Sequence, residues 1–373
     1  MNTAPTTQTQ TLFMALELSN TNWRIAFSNG QKIRQVNLTA RQQEPLRAAI
    51  ATAKAKLGLC ADAPVQCCYE AGRDGFWIHR MLLSLGVANL VVDAASIEVN
   101  RRARRAKTDR LDAEKLLRML MRYHGGETTL WRWVHVPTLE QEDARRPHRE
   151  LQRLKAERTA HRSRMLSLLT LHGVAPKWSA AKPLEIEALR TWEGQPLPAT
   201  VAAELAREQT RWSQVREQIA LVEAQQRRQV AAPQNEAARK AAKLLRLRAV
   251  GEVSGQVLAH EFFGWRVFKN RREVGALAGL CGVPYASGRM AHEQGISKAG
   301  NKRVRTLMVE LAWSWLKFQS DSELSKWFWQ RFGRGSSRQR RIGIVALARK
   351  LLVALWKYVE KDQLPAGARL KAA

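Results

Sequence analysis

The chain has 373 residues, enough for two or three domains with sizeable cores, and its 62 Lys and Arg against 33 Asp and Glu give a formal net charge of +29. Neutralising phosphates is what such charge does best, so a nucleic-acid partner is expected, DNA or RNA. A basic membrane-surface protein is the other class this charge allows, but there is no lipid-anchor signal and no apolar stretch long enough to span a bilayer, so no membrane partner is expected.

The first residues, MNTAPTTQTQ, are polar and lack a basic segment before an apolar core, so residues 1–11 read as a loose tail and not a secretion signal. Strands are predicted at 12–18 (LFMALEL), 22–28 (NWRIAFS) and 32–39, followed by a helix that ends at Gly58. Then come a buried strand at 64–70, a helix from Asp74 to Leu85 stopped by Gly86, and a strand at 87–93. Three consecutive strands leading into strand–helix alternation imply a partly parallel sheet, the strand order of ribonuclease-H-like nucleases. Cys60, Cys67, Cys68 and Cys281 have neither paired CxxC spacing nor disulfide density, which reads as buried thiols in a reduced, cytoplasmic protein. The eight histidines form no metal-ligand pair at helical or finger spacing.

The run Arg101–Asp112, RRARRAKTDRLD, leads into AEKLLRMLMRY, with Leu116, Leu117 and Leu120 at helical spacing. Asp109 and Asp112 therefore share one face of a helix start. Either they are capping charges on a surface helix, or they hold a hard divalent cation beside a phosphate clamp of Arg101, Arg102, Arg104, Arg105 and Lys107. Glu17 and Glu70 end predicted strands, where open α/β sheets gather ligands, so the four acids are candidates for one site. Each alone also reads as a solvated strand-end or turn acid. Asp93 is a reserve ligand.

Beyond residue 138 the composition turns rich in Glu, Arg, Gln, Ala and Leu. A long helix ends at Gly173, a connector carries Pro176, Pro183, Pro196 and Pro198, and a second long helix runs to Pro233 with Leu205, Trp212, Val215, Ile219 and Val222 on one stripe. This is a coiled-coil hairpin or an ordinary helical linker domain. Globular character resumes near 240 with helix, glycine turn and helix, and a helix at 272–280. A loop dense in Gly, Ser and base follows, then a helix from Asn301 to Leu316. A flexible basic loop is expected at 331–341, before an apolar helix from Ile344 to Val359. Lys298, Lys302, Arg303, Arg338, Arg340 and Arg341 are candidate nucleic-acid contacts.

Six ordered blocks carry a resemblance. ALELSNTNWRIAF, YEAGRDGFWIHRML and KTDRLDAEKLLRML, then LLRLRAVGEVSGQVLAHEF, GVPYASG and QGISKAGNKRVRTLMVELAW, resemble the DEDD transposases of insertion sequences, relatives of the Piv DNA invertases also called bridge recombinases, over about residues 12–360. The resemblance implies an α/β plus α protein. It would comprise a RuvC-like (ribonuclease-H-like) catalytic domain at 12–135, a coiled-coil hairpin at 136–235, a mostly helical transposase domain at 236–360 and a tail at 361–373. It implies Mg²⁺ (or Mn²⁺) on Glu17, Glu70, Asp109 and Asp112, with Glu17 standing where the family pattern usually has Asp. Ser287, in the Tyr285–Gly288 turn, would be the nucleophile that forms a covalent serine–DNA intermediate. DNA, a structured non-coding bridge RNA and further copies of the chain, as dimer or tetramer with a site composed from two protomers, would be the partners, in a bacterial, nucleoid-associated setting. The rival classes are a RuvC-like hydrolytic nuclease, such as a junction resolvase, and a catalytically decayed nucleic-acid-binding transposase. No GxxxxGK[ST] loop for nucleotide hydrolysis is present.

Overall fold

The computed structural model of the chain describes residues 10–98, 108–176, 178, 182–287 and 290–372. The chain divides into two compact units, Met1–Pro137 and Thr138–Ala373, with the long helical hairpin and the C-terminal part in the second.

The first unit is a mixed five-stranded sheet with helices. Strands β1 (Leu12–Leu18), β2 (Asn22–Ser28) and β3 (Ile33–Thr39) lead into helix α1 (Gln43–Lys56), β4 (Val65–Glu70), α2 (Trp77–Ser84), β5 (Val87–Val92) and α3 (Asp109–His124). The sheet order is β3-β2-β1-β4-β5, with β1 antiparallel to β2, β2 antiparallel to β3, and β1, β4 and β5 parallel. Strand alternation divides its side chains between two apolar layers. Leu12, Met14 and Leu16 pack with Trp23, Ile25, Cys67 and Tyr69 on one face, and Ala15, Ala26, Cys68 and Val92 pack under α3 on the other. The small residues Ala15, Ala26 and Cys68 let α3 lie close, and the Cys68 thiol donates to the Leu116 carbonyl at 3.7 Å. Burial pushes the thiols of Cys67 and Cys68 well above the usual range. Cys60, by contrast, is exposed and Cys281 half-buried, so only two of the four thiols are the buried kind expected.

The second unit is mostly helical. A short α4 (Leu139–Asp143) precedes α5 (Arg146–Leu171) and α6 (Ala199–Ala231). Leu151 and Leu154 meet Val215 and Ile219 near one end, Met165 and Leu169 meet Leu205 and Trp212 toward the other, so the two long helices run antiparallel. Leu205, Glu208, Trp212, Val215 and Ile219 are buried at alternating steps of three and four, which keeps one stripe facing the partner helix. Lys155–Glu223 (2.8 Å) and His161–Glu208 (2.7 Å) bridge the pair. Gly173 turns the chain after α5 at φ 70°, where a Cβ would lie 2.7 Å from the Trp192 Cβ, so both backbone and space demand glycine.

The rest is built from α7 (Glu236–Leu245), α8 (Glu252–Leu258), a π turn (Ala259–Phe263), α9 (Arg271–Leu277), the hairpin β6 (Gly282–Ser287) and β7 (Met290–Ile296), α10 (Lys302–Phe318), α11 (Glu323–Phe332) and α12 (Ser337–Lys361). Its core gathers Phe262, Phe263, Met308, Trp315, Phe328 and Leu351. Two expectations are corrected. The segment expected as a Gly- and Ser-rich loop is a β-hairpin, with Ser287 paired to Met290 and a register shift at Gly282/Pro284. The expected flexible basic loop at 331–341 is the corner between α11 and α12, and Arg338, Arg340 and Arg341 lie in the first turns of α12. There the Ser336 hydroxyl and Gln339 side chain cap each other's backbone N–H groups, which fixes the helix start.

Glu261, in the π turn, anchors the second unit's polar interior. Its carboxylate accepts from His148 Nε2 at 2.8 Å and from Arg149 at 2.5 and 2.9 Å. Burial would raise its pKa, but the hydrogen bonds from His148 and Arg149 and the charge of Arg149 hold it well below the carboxylate range. Burial, helped by His148, pushes neighbouring His260 down to about 4.

Candidate active site

The sheet register decides how the four acids stand. Leu16 pairs with Tyr69 across parallel β1 and β4, so the next residues, Glu17 and Glu70, stand side by side. Both share the face of Ala15 and Cys68, the face that α3 covers. Glu70 is the last residue of β4, whereas Glu17 is one short of the end of β1.

Helix α3 runs back along the sheet. Its last residue, His124, packs at a tilt against Phe13 early in β1, with ring centroids 5.7 Å apart. Its first turn therefore lies toward the strand ends where Glu17 and Glu70 stand. The Leu116–Cys68 contact sets the height. Asp112 is one turn before Leu116, ~5–6 Å along the helix, and Glu70 is two residues beyond Cys68, ~6.6 Å along the strand. Asp112 is thus level with Glu70, and Asp109 lies one turn before buried Ala113. The Thr108 side chain accepts from the Leu111 N–H and caps α3, a task that Asp109 and Asp112 do not perform.

All four acids thus come to one end and one face of the first unit. Glu70 and Asp109 are exposed, and Glu17 and Asp112 are half-buried. Oxygen-only donors of this kind suit a hard divalent cation such as Mg²⁺ or Mn²⁺. Among the described residues no group of three or more His, Cys, Asp or Glu side chains is placed to hold a metal ion, so the four carboxylates lie at one end of the sheet without forming a preformed cage. Asp93, the reserve ligand, follows β5, accepts from the Ala95 N–H at 3.1 Å and lies 3.9 Å from Arg132.

The register also shows what sequence reading missed. Glu17 pairs with Arg24 and Arg24 with Asn37, while Glu70 pairs with Val92 and Val92 with Trp133. The acids stand in the middle of a row with a cation on one side and an exposed indole on the other. Pairing partners so far apart in sequence have no local signal.

In the second unit Ser287 closes β6 and is exposed. Lys298, Lys302 and Arg303 are exposed around the start of α10, which Asn301 caps through the Val304 N–H. Arg303 donates to Gln152 Oε1 at 3.0 Å, and the Lys298 carbonyl accepts from Arg305 at 2.7 Å. Arg338, Arg340 and Arg341 are exposed at the start of α12. Each trio adds side-chain charge to the positive end of a helix. The candidate clamp Arg101, Arg102, Arg104, Arg105 and Lys107 lies outside the described residues.

Residues 241–326, from α7 through β6 and β7 to α11, match the sequence profile of the family described as Transposase IS116/IS110/IS902. The chain is 41% identical over 379 residues to the transposase-named protein y4rJ of Sinorhizobium fredii, covering 96% of this chain and 94% of that one. It belongs to the IS116/IS110/IS902 family of transposases. A more distant relative of this transposase is the transposase for insertion sequence element IS1328 of Yersinia enterocolitica, 27% identical over 258 residues, 67% of this chain and 71% of that one. The y4qE protein of Sinorhizobium fredii, also transposase-named, is 29% identical over 250 residues, 66% of this chain and 58% of that one. The profile match places Ser287 and the Lys298–Arg303 cluster in the transposase-specific segment. The acidic row lies upstream of it. Among the described residues no helix is long and apolar enough to cross a membrane.

Proposed function

We propose that this transposase cuts and rejoins DNA through a covalent bond to Ser287, with Glu17, Glu70, Asp109 and Asp112 holding Mg²⁺ or Mn²⁺, and that a structured non-coding RNA guides it. The observation that carries the reading is the convergence of the four acids at one end of a sheet whose order, β3-β2-β1-β4-β5, suits a RuvC-like nuclease domain. The Ser287 oxygen attacks the scissile phosphorus and its proton leaves. The bond to the departing nucleotide's sugar oxygen breaks, and that oxygen takes up a proton. A hydroxyl of the second DNA end then attacks the phosphoserine and restores the Ser287 hydroxyl. One phosphoester replaces another at each step, so no nucleotide hydrolysis is needed. The bound divalent cation would neutralise charge on the phosphate.

Exposure of Ser287 at the end of β6 suits attack on a large substrate. The alternating spacing along α6 supports a coiled-coil pairing of α6 with α5 within the chain. The second reading is a hydrolytic nuclease, in which an activated water takes the place of Ser287 as the attacking group.

A denaturing gel with end-labelled DNA, Mg²⁺ and the RNA transcribed beside the gene separates the two. Serine chemistry gives a protein–DNA adduct that Ser287→Ala abolishes. Cleavage without adduct, unchanged in Ser287→Ala, would establish hydrolysis. The basic clusters make a separate prediction. Neutralising Lys298, Lys302 and Arg303 together should flatten the slope of log K against log salt for duplex DNA by roughly 0.9 for each phosphate that is no longer neutralised, about 2–3 in all. An unchanged slope would remove these residues from the interface.

A further inference from the structure

We infer that Trp133 is a base-stacking residue of the acidic site, holding an unpaired nucleotide of the substrate strand beside the phosphate that the carboxylates face. The inference rests on the reading of Glu17 and Glu70 as part of a nucleic-acid-cleaving site. Trp133 is 55% exposed although nearby Trp131 is 4% exposed. It forms an antiparallel bridge with Val92, held by the Asp93 N–H donating to the Arg132 carbonyl at 2.8 Å and the Val134 N–H donating to the Val91 carbonyl at 2.7 Å. Directly opposed residues of an antiparallel pair point to the same face. Val92 packs in the layer under α3, so Trp133 belongs to the face that carries Glu17 and Glu70.

The row across this end of the sheet therefore reads Asn37, Arg24, Glu17, Glu70, Val92, Trp133. Trp133 is two strand spacings from Glu70, ~10 Å. One nucleotide can span that gap, with its phosphate toward the acids and its base against the indole. An exposed indole in a protein of net charge +29 suits a base better than an apolar protein partner, since the long-range field gathers polyanions and the ring supplies a sequence-tolerant stacking face.

The test uses the full chain in EDTA, so that binding is read apart from cleavage. The probe is a single-stranded oligonucleotide with 2-aminopurine at one position, moved along the strand, and affinity is followed by anisotropy. The indole should quench the probe at one or two adjacent positions. Trp133→Ala should abolish that quenching and weaken binding ~10-fold with an unchanged salt slope, because the variant removes a stacking face and leaves every phosphate neutralised as before, and Trp133→Phe should stay within ~3-fold of the parent. The Trp133 bridge uses backbone groups alone, so the variants keep the fold. Equal quenching and affinity in parent and Trp133→Ala would overturn the inference, as would an altered oligomeric state in Trp133→Ala with unaltered affinity, which would make Trp133 a protein contact. Glu70→Gln in parallel separates this from the reading beneath it. If Glu70→Gln cleaves DNA like the parent while quenching still depends on Trp133, the acid assignment fails and the stacking role stands.

Discussion

Asp112→Asn is expected to lower DNA strand cleavage roughly 10²- to 10³-fold, the usual cost of removing one preorganised electrostatic group from a reacting centre. Metal-free DNA binding should stay the same or tighten slightly. The sign follows from the charge. Asp112 is level with Glu70 on a face that carries two further carboxylates, and removing one negative charge lessens the repulsion that a phosphate meets there. Glu70→Gln should behave alike. Simple loss of folding would weaken binding and cleavage together, so the opposed signs identify a catalytic role. Glu17 is a special case, because it stands where the resembling family usually has Asp. Glu17→Asp shortens the side chain by one methylene without moving the charge off the row. Higher cleavage in Glu17→Asp would mean a partly decayed centre, and lower cleavage would mean that the site is built around the longer acid. Cleavage by Asp112→Asn equal to the parent's would sink the four-carboxylate reading outright.

Much of the first unit was legible because its strands are short, apolar and set off by punctuation. Ser19-Asn20, Gly58 and Gly86 mark boundaries, and the predicted strands agree with the observed ones to within a residue or so. Asp109 and Asp112 were legible as a helix start for a local reason too, since a polar run precedes residues at helical spacing. What could not be read was register. That Glu17 faces Glu70, with Arg24 and Trp133 completing the row, depends on pairings between segments scattered over more than a hundred residues. In the second unit the errors have compositional causes. Strand β6 is exposed on both faces over Pro284–Ser287, so its sequence lacks the apolar alternation that marks a half-buried strand. The start of α12 is all polar and basic, yet Ser336 and Gln339 had the spacing of a capping box and would have betrayed the helix to a search for caps.

Glu261→Ala is expected to destabilise the second unit by about 3–5 kcal/mol, since it removes the acceptor from a buried pair and strands its donors. Glu261 and His148 side chains are 2% and 3% exposed, whereas Arg149 is 39% exposed, so Arg149 rehydrates in the variant and the lower end of the range applies. Nothing in the sequence announces this contact, because His148 and Glu261 are 113 positions apart. It ties the first turn of α5 to the π turn, beside the Arg303–Gln152 hydrogen bond that also holds α5. The pH dependence has two parts. His260 is pushed down to about 4 from an ordinary value near 6.5, so between those values the unfolded chain binds a proton that the folded chain refuses, and stability falls as pH drops through that window. Glu261 is depressed as well, so its contribution is complete above the unfolded carboxylate value of about 4.3 and is lost only as pH falls below it. Denaturant titrations of the parent and Glu261→Gln at several pH values should therefore show parallel losses from pH 6.5 to about 4.5. The gap between the two proteins should then narrow at lower pH. A gap that stays constant down to pH 2 would mean that the carboxylate is not what His148 and Arg149 stabilise. A difference below about 1 kcal/mol at pH 7 would mean that the desolvation of Glu261 cancels its attraction to them.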